Sequence, residues 1–471
     1  MRSPFLQHIQ DLFSKMSGRS LALVGVVWLV LIGVGLLCVS GAIGLPGGRS
    51  EPADVPPTAT QASTNPFEIE GAGEEPSAAA TPEPNATPTQ AGQIVLPTPT
   101  TVSTSAGGLQ PLPWGDFGYG IAAHGIGMPD YTMGQVKDHL GLSWVKQQVR
   151  WDHFSSGPGQ MDWSGYDAMV LYANERGLKV MMSIVGSPAW SRTYFDANPE
   201  AAPPDDLSLF VNFVGELVDR YKGRVHAIEV WNEQNLDREW DTEEGVKAER
   251  YVEMLRLTYQ AIKSRDPSII VISGALSPTG VVATDPQNAD RYIVVDDFAY
   301  FQQMIDAGFL NYADCVGAHH NGYNMPPDVA WDEGYDDPTA IFRGPFDSPN
   351  HSWSFKSTLW GYHDMITAAQ RDTPLCVTEF GWASSEGFDG APPGFEFALD
   401  NTLEEQAQWD VEAFGRMREW GIVHLAFLWN LDYSYKGGIG ALDPNTPYSI
   451  LDLKGAARPA YGAIGEMPKV P

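Results

Sequence analysis

Two short stretches place a carboxylate where a carboxylate is hard to keep. Ile228, Glu229, Val230 and Trp231 form a largely apolar run that breaks off into Asn232, Glu233 and Gln234. Leu375, Cys376, Val377 and Thr378 lead in the same way into Glu379, followed by Phe380, Gly381 and Trp382. A charged group just past an apolar strand is costly unless that strand end opens into a cleft. Each glutamate also has a tryptophan close by in sequence. Two carboxylates among flat apolar faces suit a ligand built of sugar rings. Breaking a glycosidic bond needs one carboxyl to protonate the leaving oxygen and a second to act from the opposite face.

The elements that must hold these residues are legible from periodicity. Strand-like segments fall at 117–123, 144–150, 179–185, 227–231, 269–273, 315–319, 375–378 and 424–429. Helical segments lie between them. The clearest covers 205–221, where Leu207, Phe210, Val211, Val214, Leu217, Val218 and Tyr221 recur at three-and-four spacing. Others are predicted at 133–140, 165–176, 244–263, 297–307, 356–371, 403–420 and 457–464. Eight strands alternating with eight helices is the count of a (β/α)₈ barrel, an α/β fold. The runner-up, an open doubly wound sheet, lacks support because no glycine-rich phosphate turn follows a strand.

A barrel collects functional side chains at the C-terminal ends of its strands. The polar residues fall there. Strand two ends at Arg150, strand three runs toward Trp190, and strand four ends at Asn232 and Glu233. Strand six reaches His319 and His320, with Tyr323 beyond, strand seven ends at Glu379, and strand eight reaches Trp429.

These residues resemble glycoside hydrolase clan A, retaining glycosidases on (β/α)₈ barrels. The likeness rests on Trp231-Asn232-Glu233, on Thr378-Glu379-Phe380-Gly381-Trp382, on Arg150 and on Trp429, and covers 114–471. Families 39 and 5 are the most similar, although Gln234 stands where those usually have proline. The resemblance implies that Glu233 is the general acid/base and Glu379 the nucleophile, with carboxyls roughly 5–5.5 Å apart. Arg150 or a donor from Tyr323 is then expected to hold the charge of Glu379. Burial and the Glu379 charge are expected to raise the pKa of Glu233. Asn232 is expected on a sugar 2-hydroxyl, and His319 on Glu233 or the sugar. His319 is preferred to His320 by alternation from Gly317. Trp190, Trp240, Trp382 and Trp429 are candidate sugar platforms. For Arg150 a structural ion pair competes with a role in the site. The aromatics of the loop at 320–354 either stack on sugars or pack on one another. No metal or cofactor is implied, because two carboxylates suffice.

Composition bounds the rest. The chain has 471 residues and a formal net charge of −30, which argues against nucleic acid as a partner. Residues 21–45 carry no charge and are long enough to span a bilayer, and Arg2, Lys15 and Arg19 precede them. They read as a transmembrane anchor with residues 1–20 in the cytoplasm, or as a cleaved signal segment. Residues 46–113 are rich in Pro, Thr and Ser and read as a disordered linker. The barrel domain at 114–471 would then lie outside the cell, as a monomer, at the membrane or secreted. The three cysteines, Cys38, Cys315 and Cys376, make no metal or disulfide framework, and the last two read as buried free thiols. The reading is a retaining glycosidase on a β-linked extracellular glycan. A transglycosylase on the same site and a non-catalytic carbohydrate receptor are the alternatives.

Overall fold

A computed structural model describes residues 109–193, 202–437 and 440–471. Eight strands form one parallel sheet: β1 (Gly118–Ala122), β2 (Trp144–Arg150), β3 (Lys179–Val185), β4 (Ala227–Val230), β5 (Ile270–Ser273), β6 (Val316–Gly322), β7 (Leu375–Trp382) and β8 (Val423–Leu428). Their order in space is β6-β7-β8-β1-β2-β3-β4-β5, and every neighbouring pair is parallel. The two ends meet through parallel bridges, Ile272 to Cys315 and Leu276 to Ala318, so the sheet closes. The seam needs a glycine. A Cβ on Gly317 would lie 2.0 Å from the Ser273 carbonyl oxygen. Closure replaces the open-sheet alternative with a (β/α)₈ barrel.

A helix follows each strand: α1 (Pro129–Gly134), α2 (Ser164–Glu175), α3 (Leu207–Arg220), α4 (Ala248–Arg265), α5 (Asp297–Asp306), α6 (Phe355–Ala368), α7 (Leu403–Trp420) and α8 (Pro459–Glu466). Their limits have local causes. In α3 the Asp206 carboxylate caps the Ser208 N–H. In α7 Thr402 and Glu405 form a capping box, and Gly421 ends the helix at φ 69°. The helices bury their apolar stripes against the outer face of the barrel in the main core.

Inside the barrel the layers change character with height. The floor is filled by Trp144, Met181, Ala227, Ile272, Cys315, Cys376, Leu425 and Phe427. Above them Lys146, Ser183, Glu229 and Thr378 follow two residues on along four of the same strands, and all are buried. The strand-end residues rise from this polar layer.

The structure joins Cys315 and Cys376 in a disulfide, which corrects the expectation of free thiols. Gly317, not Cys315, stands in register with Cys376. The stagger of tilted barrel strands brings the two cysteines into one inward-facing layer, with a Cα separation of 5.8 Å, inside the usual disulfide range. The apolar segment at 21–45 and the linker up to residue 108 lie outside the described residues. Among the described residues no helix is long and apolar enough to cross a membrane.

Candidate active site

The C-terminal mouth of the barrel holds a cavity of about 790 Å³. Both glutamates open into it with Asn232, Arg150, Tyr323 and Trp429. Glu233 stands just past the end of β4, where the chain leaves the strand through positive φ at Trp231 (77°) and Glu233 (43°). Such angles cost an ordinary residue on the order of 1 kcal/mol or more and recur at functional sites. The strained turn is over-determined: the Glu233 N–H donates to Ala275 O at 2.8 Å, and the Trp231 indole N–H donates to Glu239 O at 2.8 Å. Gln234, in place of the usual proline, is buried and donates to Gly274 O at 2.8 Å.

One imidazole links the two carboxylates. His319 Nδ1 lies 3.2 Å from Glu233 Oε1, and its Nε2 lies 3.8 Å from Glu379 Oε1. A register shift between Ala318 and His319 brings His319 opposite Glu379. His320 points elsewhere, with its Nε2 3.2 Å from Ser352 O, and burial lowers its pKa to about 4. Burial pulls the His319 pKa down too. The charge of Glu379 and the hydrogen bond to Glu233 outweigh that and set it above the ordinary value.

The charge partner of Glu379 is Lys146, a residue that sequence reasoning missed. Its ammonium group sits 2.9 Å from Glu379 Oε1 and 3.3 Å from Glu229 Oε2, and donates to Thr378 O at 3.2 Å. Lys146 is 1% exposed. Burial alone would lower its pKa, but Glu229 and Glu379 reverse the sign and raise it. Glu229 in turn accepts the Thr378 hydroxyl at 2.6 Å. The available signal was Glu229 itself, a carboxylate inside an apolar strand that must find a buried cation. Arg150 lines the same cavity and is bidentate to Asp152, at 3.2 and 2.8 Å.

The expected rise in the Glu233 pKa is also corrected. Burial pushes it up, but the Arg238 guanidinium, in close contact with Oε2, and the His319 hydrogen bond prevail and lower it to about 2. The next residue, Glu239, lines the same wall, and burial pushes it up to about 7. Both residues lie on the β4–α4 loop, whose periodicity gives no hint of a site.

The tryptophans divide. Trp429 lines the cavity, 4.8 Å from the Tyr433 ring and 5.9 Å below the Lys146 ammonium. Trp382 does not reach the cavity. It is 1% exposed and donates its indole N–H to Met325 O at 2.8 Å. Trp240 is buried edge-on against Trp231. Trp190 is exposed outside the cavity lining, edge-on to Trp151 at 5.7 Å. Tyr323 lines the cavity and packs with Phe342, Trp353 and Phe397 in a small core of its own. That packing accounts for much of the aromatic content of the loop after β6. Asn232 Oδ1 is buried and accepts no hydrogen bond among the described residues, which leaves an acceptor for a hydroxyl. Among the described residues no group of three or more His, Cys, Asp or Glu is placed to hold a metal ion.

Fold and site together define an eight-stranded parallel barrel with two carboxylates facing one aromatic-lined cavity at its C-terminal mouth. No protein-family model matches the chain. Among solved structures it is similar to a family 39 glycoside hydrolase from Bacteroides cellulosilyticus, at 18% identity and a TM-score of 0.51, over 74% of this chain and 63% of that one. It is also similar to a glucosidase from Croceicoccus marinus, at 13% identity and a TM-score of 0.51, over 74% of this chain and 66% of that one. The chain spans less than two thirds of the length of either. The likeness is one of fold.

Proposed function

We propose that the protein is a retaining glycoside hydrolase acting on a β-linked polysaccharide or oligosaccharide. The observation that carries the reading is His319 between two strand-end carboxylates that face one cavity. Glu379 attacks the anomeric carbon as a carboxylate, with Lys146 2.9 Å away to keep its charge and aim. Glu233 protonates the leaving oxygen and, as a carboxylate, then activates the water that releases the sugar. Asn232 accepts from the sugar 2-hydroxyl, and Trp429 offers a flat face to a ring. The names of the two similar barrels agree with this chemistry. A hydrolytic enzyme and a transglycosylase differ here only in the acceptor. We further propose that residues 21–45 anchor the barrel outside the cell, or direct its secretion, and that 46–113 serve as a spacer. Carbonate extraction of membranes would separate the anchored from the cleaved form.

The test is turnover of a panel of aryl β-glycosides and β-linked polysaccharides by the full-length chain, E233Q and E379Q. Activity that falls by about 10²-fold or more in both variants supports the reading. An E379Q variant as active as the parent removes the nucleophile assignment. One observation favours a second reading, a non-catalytic glycan receptor: Arg238 contacts Glu233 and lowers its pKa to about 2. Glycan binding without turnover, kept in both variants, would select it.

A further inference from the structure

A general acid must carry its proton when substrate arrives, yet Glu233 is held as a carboxylate by Arg238. The guanidinium is the movable partner, because the Arg238 side chain is 52% exposed and that of Glu233 only 8%. Its backbone is clamped. The hairpin formed by Ala283–Asp285 and Asn288–Val294 grips the loop on both sides of Arg238. The Asp237 N–H donates to Ile293 O at 2.8 Å, the Val246 N–H donates to Tyr292 O at 2.9 Å, and Arg291 pairs with Asp241 at 2.6 Å.

Glu239 stands beside it on the same wall, fixed by its own backbone. Its carbonyl accepts the Trp231 indole N–H, and its N–H donates to Leu236 O at 3.1 Å. The charges acting on Glu239 are Arg238 and Glu233 from this loop, Arg150 from β2 and Glu379 from β7. Those acting on Glu233 are Arg238 and, from β6, His319.

Resting on the hydrolase reading, we infer that Arg238 is a positioning residue shared by Glu233 and Glu239, and that it trades places with one proton. Before sugar binds, Arg238 pairs with Glu233, and burial favours the protonated form of Glu239. When the sugar's leaving oxygen takes the guanidinium's place, Arg238 passes to Glu239. The Glu239 O–H bond breaks, an O–H bond forms on Glu233 through solvent, and the net charge of the wall is unchanged. No new unpaired charge is buried, which is the costly alternative. The burial that sets Glu239 near 7 makes it a seat for a proton close to neutral pH.

The full-length chain, labelled with ¹³C at the glutamate carboxyls, would be titrated by NMR beside E239Q, E233Q and R238M. One carboxyl is expected to titrate near 7 and to be missing from E239Q. In R238M the Glu233 titration is expected to rise by more than about one unit. With whichever aryl β-glycoside is turned over, E239Q should move the alkaline limb of kcat/KM down by about one unit or more, a loss of about tenfold near pH 7 that acid restores. A merely structural Glu239 would change KM evenly across pH. An unmoved alkaline limb in E239Q, or an unmoved Glu233 titration in R238M, overturns the exchange. If no glycoside is cleaved at any pH the hydrolase reading fails, and the NMR arm still decides whether Arg238 and the proton are shared.

Discussion

Replacing Lys146 by Met strands two carboxylates at the centre of the barrel. Lys146 lies 3.3 Å from Glu229 and 2.9 Å from Glu379, and side-chain exposure is 1% for the lysine, 0% for Glu229 and 8% for Glu379. Removing one partner of a buried ion pair costs about 3–5 kcal/mol, because the charge left behind has lost its water as well as its partner. The native pKa of Lys146 is raised, so its contribution is complete below the unfolded value and is lost only as pH rises through the higher folded one. At neutral pH the full amount is therefore at stake. Urea unfolding of the native chain, K146M, E229Q and the double variant at about pH 7 forms a cycle. K146M should cost about 3–5 kcal/mol, and the pair should couple by about 1–3 kcal/mol because E229Q relieves part of the stranded charge. A K146M cost below about 1 kcal/mol, with effects that simply add, would refute the reading of Lys146 as the buried cation that Glu229 depends on.

Three further outcomes are expected. H319Q should flatten part of the stability profile. The raised His319 pKa gives stability that is complete below its unfolded value of 6.5 and lost as pH rises through the folded one, so the native urea midpoint should fall over that window while that of H319Q does not. W429A should raise KM roughly tenfold by removing one stacking face, about 1.4 kcal/mol, with kcat less affected; an unchanged KM would remove Trp429 from the sugar site. Replacing Cys315 and Cys376 together by Ala should lower stability by about 4 kcal/mol, as expected for opening a loop whose ends are 61 residues apart, and a calorimetric melt unchanged from native would contradict the bond.

The barrel was legible because strands buried on both faces read as short apolar runs, and the helices between them keep a 3.6-residue stripe. Asn232, Glu233 and Glu379 were legible because polar residues stop those runs abruptly. Lys146 was not, since Trp144, Lys146, Gln148 and Arg150 alternate with Val145, Gln147 and Val149, and both faces of β2 hold polar residues. Trp382 lies off the cavity because β7 continues to it, and the register shift between Val377 and Phe380 upsets alternation. Arg238 and Glu239 lie on an irregular loop, and only the hairpin from the next connection fixes where they point.

The disulfide at the barrel floor bears on how the protein has to be made. The chain has three cysteines, and two of them join β6 to β7. Oxidation therefore has one native pairing to find, and Cys38 is the sole thiol able to divert it. A chain produced in a reducing compartment would fold around two open thiols and forgo the cross-link. Preparations from reducing and oxidising hosts should thus differ in heat resistance even when their site chemistry is the same. A low yield in one host would say more about its redox poise than about the sequence.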